Sequence, residues 1–184
     1  PLLEHTLRSL PHFPARPLAN TVHGLGAIAR ATGVHMSPAV WAKLASRGVA
    51  TISDFNSQHL ANTAWAYAKA GHESRELFDA IASASVRRLP EFTSQELANT
   101  AWAYATAGHE SRALFDAIAS DSVRRLPEFN SQDLANTAWA YAAADVPAAA
   151  LFCQPAFVAC CVAHQGRFST ISLCQLHQWQ LWLQ

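Results

Sequence analysis

Polar side chains recur along this chain at a fixed interval, and what they offer is hydrogen bonding to an edge rather than bond-making chemistry. His59, Glu96 and Asp133 stand 37 residues apart, as do Asn62, Asn99 and Asn136, and one helical stripe further along come Lys69, Thr106 and Ala143. Variable polar residues on a constant scaffold are what the selection of different bases in a single-stranded nucleic acid requires. Neutral drift of an exposed surface leaves the same trace. The asparagines can offer an amide to a base edge, or bond neighbouring units to one another; the second reading is favoured because such a ladder demands identity at each step. Gln58, Gln95 and Gln132 carry the same two readings.

Cationic residues recur as well. Arg87-Arg88 and Arg124-Arg125 fall at corresponding places, with Arg8 as an upstream counterpart and Arg75 and Arg112 as a second row. Guanidiniums aligned by stacking could hold phosphates. They could equally complement helix C-termini or pair with Glu91, Glu128, Asp79 and Asp116. His72 and His109 follow glycines and read as turn or capping residues. Phosphate loop, nucleophile elbow, metal-binding His pair and convincingly placed paired carboxylates are all missing, so no catalytic residue, metal or cofactor is expected. Cys153, Cys160, Cys161 and Cys174 fit no zinc template and read as buried thiols; Cys160 and His164, one helical turn apart, are two ligands at most.

The element that positions these residues is a repeat. Residues 55–91 and 92–128 agree at 32 of 37 positions, Phe55, Phe92 and Phe129 keep the same spacing, and LANTAWAYA occurs three times. A weaker copy starts at Leu18, with Phe13 at its head. The divisions are 1–12, the end of a preceding unit; 13–54, repeat 1; 55–91, repeat 2; 92–128, repeat 3; 129–167, repeat 4; and 168–184, the start of a further unit. Both ends read as cuts in a longer array.

Each unit predicts two helices. Helix A runs from Ser57 to Ala70, entered through Asn56-Ser57 and left at Gly71. Leu60, Ala61, Ala64, Trp65, Tyr67 and Ala68 fill one side of its wheel, and His59, Asn62, Ala66 and Lys69 lie opposite. Trp65, Trp102 and Trp139 are therefore expected in the core. Helix B runs from Glu73 or Ser74 to Arg88 and ends at Leu89-Pro90, with copies at 111–125 and, less faithfully, 148–163. Neither helix buries its apolar side alone, so the expected fold is all-α, a right-handed solenoid of stacked hairpins.

Composition sets the outer limits. With 51% hydrophobic and 14% charged residues the chain folds rather than staying disordered. Thirteen Lys and Arg balance thirteen Asp and Glu, so a nucleic-acid partner has to be held by local rather than global charge. No apolar run reaches the ~20 residues of a membrane span.

The phrase F-x-S-Q-x-L-A-N-T-A-W-A-Y-A resembles octotricopeptide repeats and the related leucine-rich repeats of FAST-kinase-like, RAP-domain proteins. SPAVWAKLA at 37–45 is similar to the start of that family's other helix, whereas 73–80 and 110–117 lack its Pro and Trp. The resemblance implies a chloroplast or mitochondrial protein that binds single-stranded RNA and acts in transcript stability, processing or translation. No RAP domain is seen, although 173–183 looks like the stretch that precedes one. On this reading the chain is not an enzyme and takes RNA, and possibly proteins, as partners, but no membrane and no small-molecule substrate. A protein-interaction scaffold on the same solenoid is the competing reading.

Overall fold

The computed structural model describes residues 9–32 and 36–184; Arg8 lies outside the described residues. Among those residues every regular element is helical. The A helices are α1 (Ala15–Thr32), α3 (Ser57–Ala70), α5 (Ser94–Ala107) and α7 (Ser131–Ala143). Between and after them come the B helices α2 (Pro38–Ala50), α4 (Arg75–Arg88) and α6 (Arg112–Arg125), then the short α8 (Ala149–Phe152), α9 (Pro155–Ala163) and α10 (Thr170–Trp182). One-turn 3-10 segments such as Leu89–Glu91 and Leu126–Glu128 lead from each B helix into the next A helix.

Consecutive A helices pack on one another far more extensively than consecutive B helices do. The result is a helical-repeat solenoid with a tight A layer and a looser B layer. Alanine makes the tight layer possible: Ala61, Ala64, Ala66 and their copies are almost wholly buried. Gly26 is needed for the same reason, since a Cβ there would stand 2.9 Å from Cα and Cβ of Ala66. Ala66 was expected on the outer side of its helix. It is buried because an A helix is flanked by neighbours on both sides as well as by its own B helix.

The tryptophans depart from expectation too. Trp65, Trp102 and Trp139 are half-buried at the edge of the core, and the aromatics that these same helices bury fully are Tyr67, Tyr104 and Tyr141. A layer spaced for alanine has no room for an indole at its centre, so the indoles spread along its rim. The tyrosines cross into the preceding repeat instead. Their hydroxyls donate to the carbonyls of Trp41, Phe78 and Phe115 at 2.7, 2.6 and 2.6 Å, which satisfies a buried O–H at each joint.

A second tie closes each hairpin on itself. Arg47, near the end of α2, donates to the carbonyl of Phe13, and Arg88 and Arg125 donate to those of Phe55 and Phe92. Repeat 4 lacks this tie, because Val162 occupies the corresponding place. Its B segment starts in register with buried Leu151 and Phe152, but is divided before Pro155. The cysteines expected to be buried lie on these last helices. Cys153 and Cys174 are exposed and Cys160 and Cys161 half-buried, because no following B helix among the described residues covers that surface.

Candidate functional site

The free side of the A layer carries four rows of side chains, each row holding one residue per A helix. The first row is Arg16, Gln58, Gln95 and Gln132, all exposed. Asn20, Asn62, Asn99 and Asn136 form the second, His23, Trp65, Trp102 and Trp139 the third, and Ala27, Lys69, Thr106 and Ala143 the fourth. These rows form because positions i, i+4, i+7 and i+11 of a helix share a face.

The indoles form a partly covered floor. His23 lies 5.2 Å from Trp65 and Trp102 lies 6.2 Å from Trp139, ring centre to ring centre. The Lys69 ammonium sits 4.8 Å over the Trp102 ring, so a cation is held in the track by the indole of the next repeat. Gln58, Gln95, Asn62 and Asn99 make no hydrogen bond among the described residues. The asparagine ladder expected from the sequence is realised at one rung only, where Gln175 of α10 donates to Asn136 at 3.1 Å. Asn136 is thereby buried.

His59, Glu96 and Asp133 point elsewhere. Each is the third residue of its A helix and completes a capping box: Asn56 with His59, Thr93 with Glu96, Asn130 with Asp133. Nδ1 of His59 accepts from the Asn56 N–H at 3.4 Å, and Glu96 and Asp133 accept from Thr93 and Asn130 at 2.8 and 3.1 Å. Asp133, expected on the outer stripe, is 3% exposed. Burial raises its carboxyl above the usual carboxylate range, offset in part by the Asn130 backbone N–H. Partial burial, and then the Arg16 charge, holds His59 below its ordinary value, which suits a ring that must accept through Nδ1. The capping pattern T-x-x-E at Thr93–Glu96 was present in the sequence and would have given this role.

The arginines divide similarly. Arg88 and Arg125 are the ties to the Phe carbonyls and also bond Glu91 and Glu128. Arg125 further meets the buried Asp121, which pairs with Arg124 as well. Hydrogen bonding to Glu128 is the first cause that raises Arg125 above its ordinary value. Arg87 is exposed, donates to Ser83 at 2.8 Å and has no acidic partner among the described residues. Arg112 pairs with Asp116 at 3.0 Å, beyond the A face. His109 is buried across a joint, its Nε2 2.9 Å from Asp79 of the preceding B helix, while His72 stacks 4.9 Å from Trp41. Both histidines are repeat-to-repeat packing residues.

Carboxylates are kept off the four rows. Glu73, Glu76, Asp79, Glu91, Glu110, Asp116 and Glu128 all belong to B helices and turns, and the acids on the A helices, Glu96 and Asp133, are spent on caps. Amides, aromatic rings and the occasional cation, arrayed along a stack of helices, can bond base edges and cover apolar rings. A cavity of about 550 Å³ lies at the turn edge between Tyr104, His109, Arg112 and Asp145. No group of three or more metal-ligating side chains occurs among the described residues, and no helix among them is long and apolar enough to cross a membrane.

The family model described as RNA-editing substrate-binding complex 6 protein matches residues 19–165. The chain belongs to that family. No curated protein matches it. The match to the RNA-editing substrate-binding complex 6 family takes in repeats 2 and 3 whole and most of repeats 1 and 4, and with them the amide rows, the indoles and the Tyr joints.

Proposed function

We propose that the chain binds single-stranded RNA along the free side of its A helices, as a non-catalytic component of an RNA-editing substrate-binding assembly. The observation that carries this reading is the chemistry of the four rows: amides and half-buried indoles with Arg16 and Lys69 among them, and the carboxylates elsewhere. Family membership agrees with an RNA-associated role. Base edges supply most of the contact and phosphates little, since Arg88, Arg125 and Arg124 are engaged in ties and ion pairs. The resemblance to octotricopeptide and RAP-domain proteins adds an organellar setting and work on transcript stability, processing or translation; of the two organelles, RNA editing favours the mitochondrion.

Binding of a randomised single-stranded RNA pool, followed across a salt series, tests this. Each phosphate contact contributes about 0.7 to the logarithmic salt slope of a single strand. Two cations in the track therefore predict a slope of about −1 to −2. A steeper slope would shift the contact to the arginine rows, and absence of binding would end the reading.

A protein partner has its own support. Val158 and Val162, exposed on α9, stand where repeat 3 has Asp121 and Arg125, and Leu173 and Leu181 of α10 are exposed nearby in the chain. An apolar surface in place of an ion pair suits a protein contact at that end of the array.

A further inference from the structure

We infer that repeats 2 and 3 present the same reading position twice, so that the face prefers RNA in which successive nucleotides carry the same base. The inference rests on the RNA reading above and adds a specificity to it. Repeats 2 and 3 differ at five places: Asn56/Thr93, His59/Glu96, Lys69/Thr106, Glu76/Ala113 and Ala84/Asp121. Two of these are alternative capping boxes, closed on the helix's own N-terminus. Asp121 is buried against Arg124 and Arg125, and Glu76 is on a B helix. Lys69/Thr106 alone lies on the four rows, and Lys69 reaches across to the Trp102 ring of the next repeat.

Apart from that one cation, what faces the ligand is constant: Gln58 with Asn62, then Gln95 with Asn99, each pair one helical turn apart and each side chain without a protein partner among the described residues. A carboxamide offers a donor and an acceptor side by side, which bonds an edge carrying the complementary pair. Two equal sockets on helices packed at the usual ~8–10 Å separation select equal bases. The track stops at repeat 4, where the Asn136 amide oxygen already accepts from Gln175. Variable residues on a constant scaffold suggested a code of different bases; with His59 and Glu96 accounted for as caps and Lys69 set over the Trp102 ring, the amides of the same scaffold read one base repeatedly.

The test uses the whole chain and fluorescently labelled twelve-nucleotide RNAs: oligo(A), oligo(U), oligo(C) and a mixed sequence of the three, measured by anisotropy at one salt concentration. One homopolymer should bind about ten-fold more tightly than the mixed sequence, the discrimination that one bidentate amide contact gives. Asn99→Asp removes the amide donor from repeat 3 alone and should bring that preference to within about two-fold. Asn62→Ala with Asn99→Ala should do the same while the helical circular dichroism and its melting stay unchanged. RNA bound equally whatever its composition, or a homopolymer preference that survives both variants, overturns the inference and leaves RNA binding standing. No binding to any of the four RNAs overturns both.

Discussion

Repeats 3 and 4 follow nearly one sequence through their A helices and part company after them. In repeat 3 the A helix ends on Gly108 in the left-handed conformation, φ +64°, and the B helix runs unbroken to Arg125, which ties back to Phe92. In repeat 4 the same left-handed position holds Asp145, φ 51°, whose carboxylate accepts from the Trp182 indole at 2.9 Å. The B segment is split, Val162 cannot form the tie, and Asn136 is locked to Gln175. A repeat thus consists of separable devices: joint, tie, exit turn and reading amide. Repeat 4 keeps the joint, through Tyr141 and Phe115, and has lost or altered the others.

The largest test of that contrast is in the core. Phe115 is fully buried, and Phe115→Ala should cost about 3–5 kcal/mol in denaturant unfolding. Phe152→Ala, its counterpart on the short α8, should cost less, because the surrounding segment is divided and can collapse onto the gap. Equal costs would mean that repeat 4 is as rigid as repeat 3. The joints come next: Tyr104→Phe and Tyr141→Phe each remove the cross-repeat bond to a carbonyl that its own helix still engages, a loss of about 0.5–1.5 kcal/mol. Similar losses at both would support the view that repeat 4 keeps this device intact.

Exit turns should respond with opposite tendencies. Gly108→Ala places a Cβ on a left-handed residue and should destabilise by about 1 kcal/mol, read from the thermal midpoint. Asp145→Gly relieves strain of that kind but loses the Trp182 bond, so its net effect should be close to zero. The smallest effect concerns pH. With the His59 value depressed in the fold from its ordinary 6.5, the unfolded chain takes up its proton first as pH falls. The repeat 2 cap therefore contributes fully above pH 6.5 and weakens below it. His59→Gln should flatten that portion of the stability profile, whereas an unchanged profile would remove His59 as its source.

The helices were legible because their boundaries are written locally. Asn56 and Ser57 open the A helix and Gly71 closes it, and the bounds Ser57–Ala70 follow from those residues alone. Burial was less legible, since a single wheel assigns one apolar arc whereas the A helix has neighbours on several sides. That is why Ala66 is inside and Trp102 on the rim. In the candidate site the sequence put Asn62 and Asn99 in one row but favoured a ladder of bonds between repeats, which among the described residues forms at Asn136 alone; its variable part misled, because His59 and Glu96 vary as partners of Asn56 and Thr93. The arginine ties were hidden for another reason. Arg88 and Phe55 are 33 residues apart, and only folding brings the guanidinium to that carbonyl.

Those ties have a bearing on how such a chain lengthens. Each hairpin from repeat 1 to repeat 3 carries its own latch and offers the same backbone socket to the unit that follows, and repeats 2 to 4 each present the same tyrosine plug to the unit before. A duplicated block of 37 residues would arrive already fastened and already fitted to both neighbours. Growth by copying then asks nothing new of the flanking units, and the near-identity of two adjacent blocks is the mark such an event would leave.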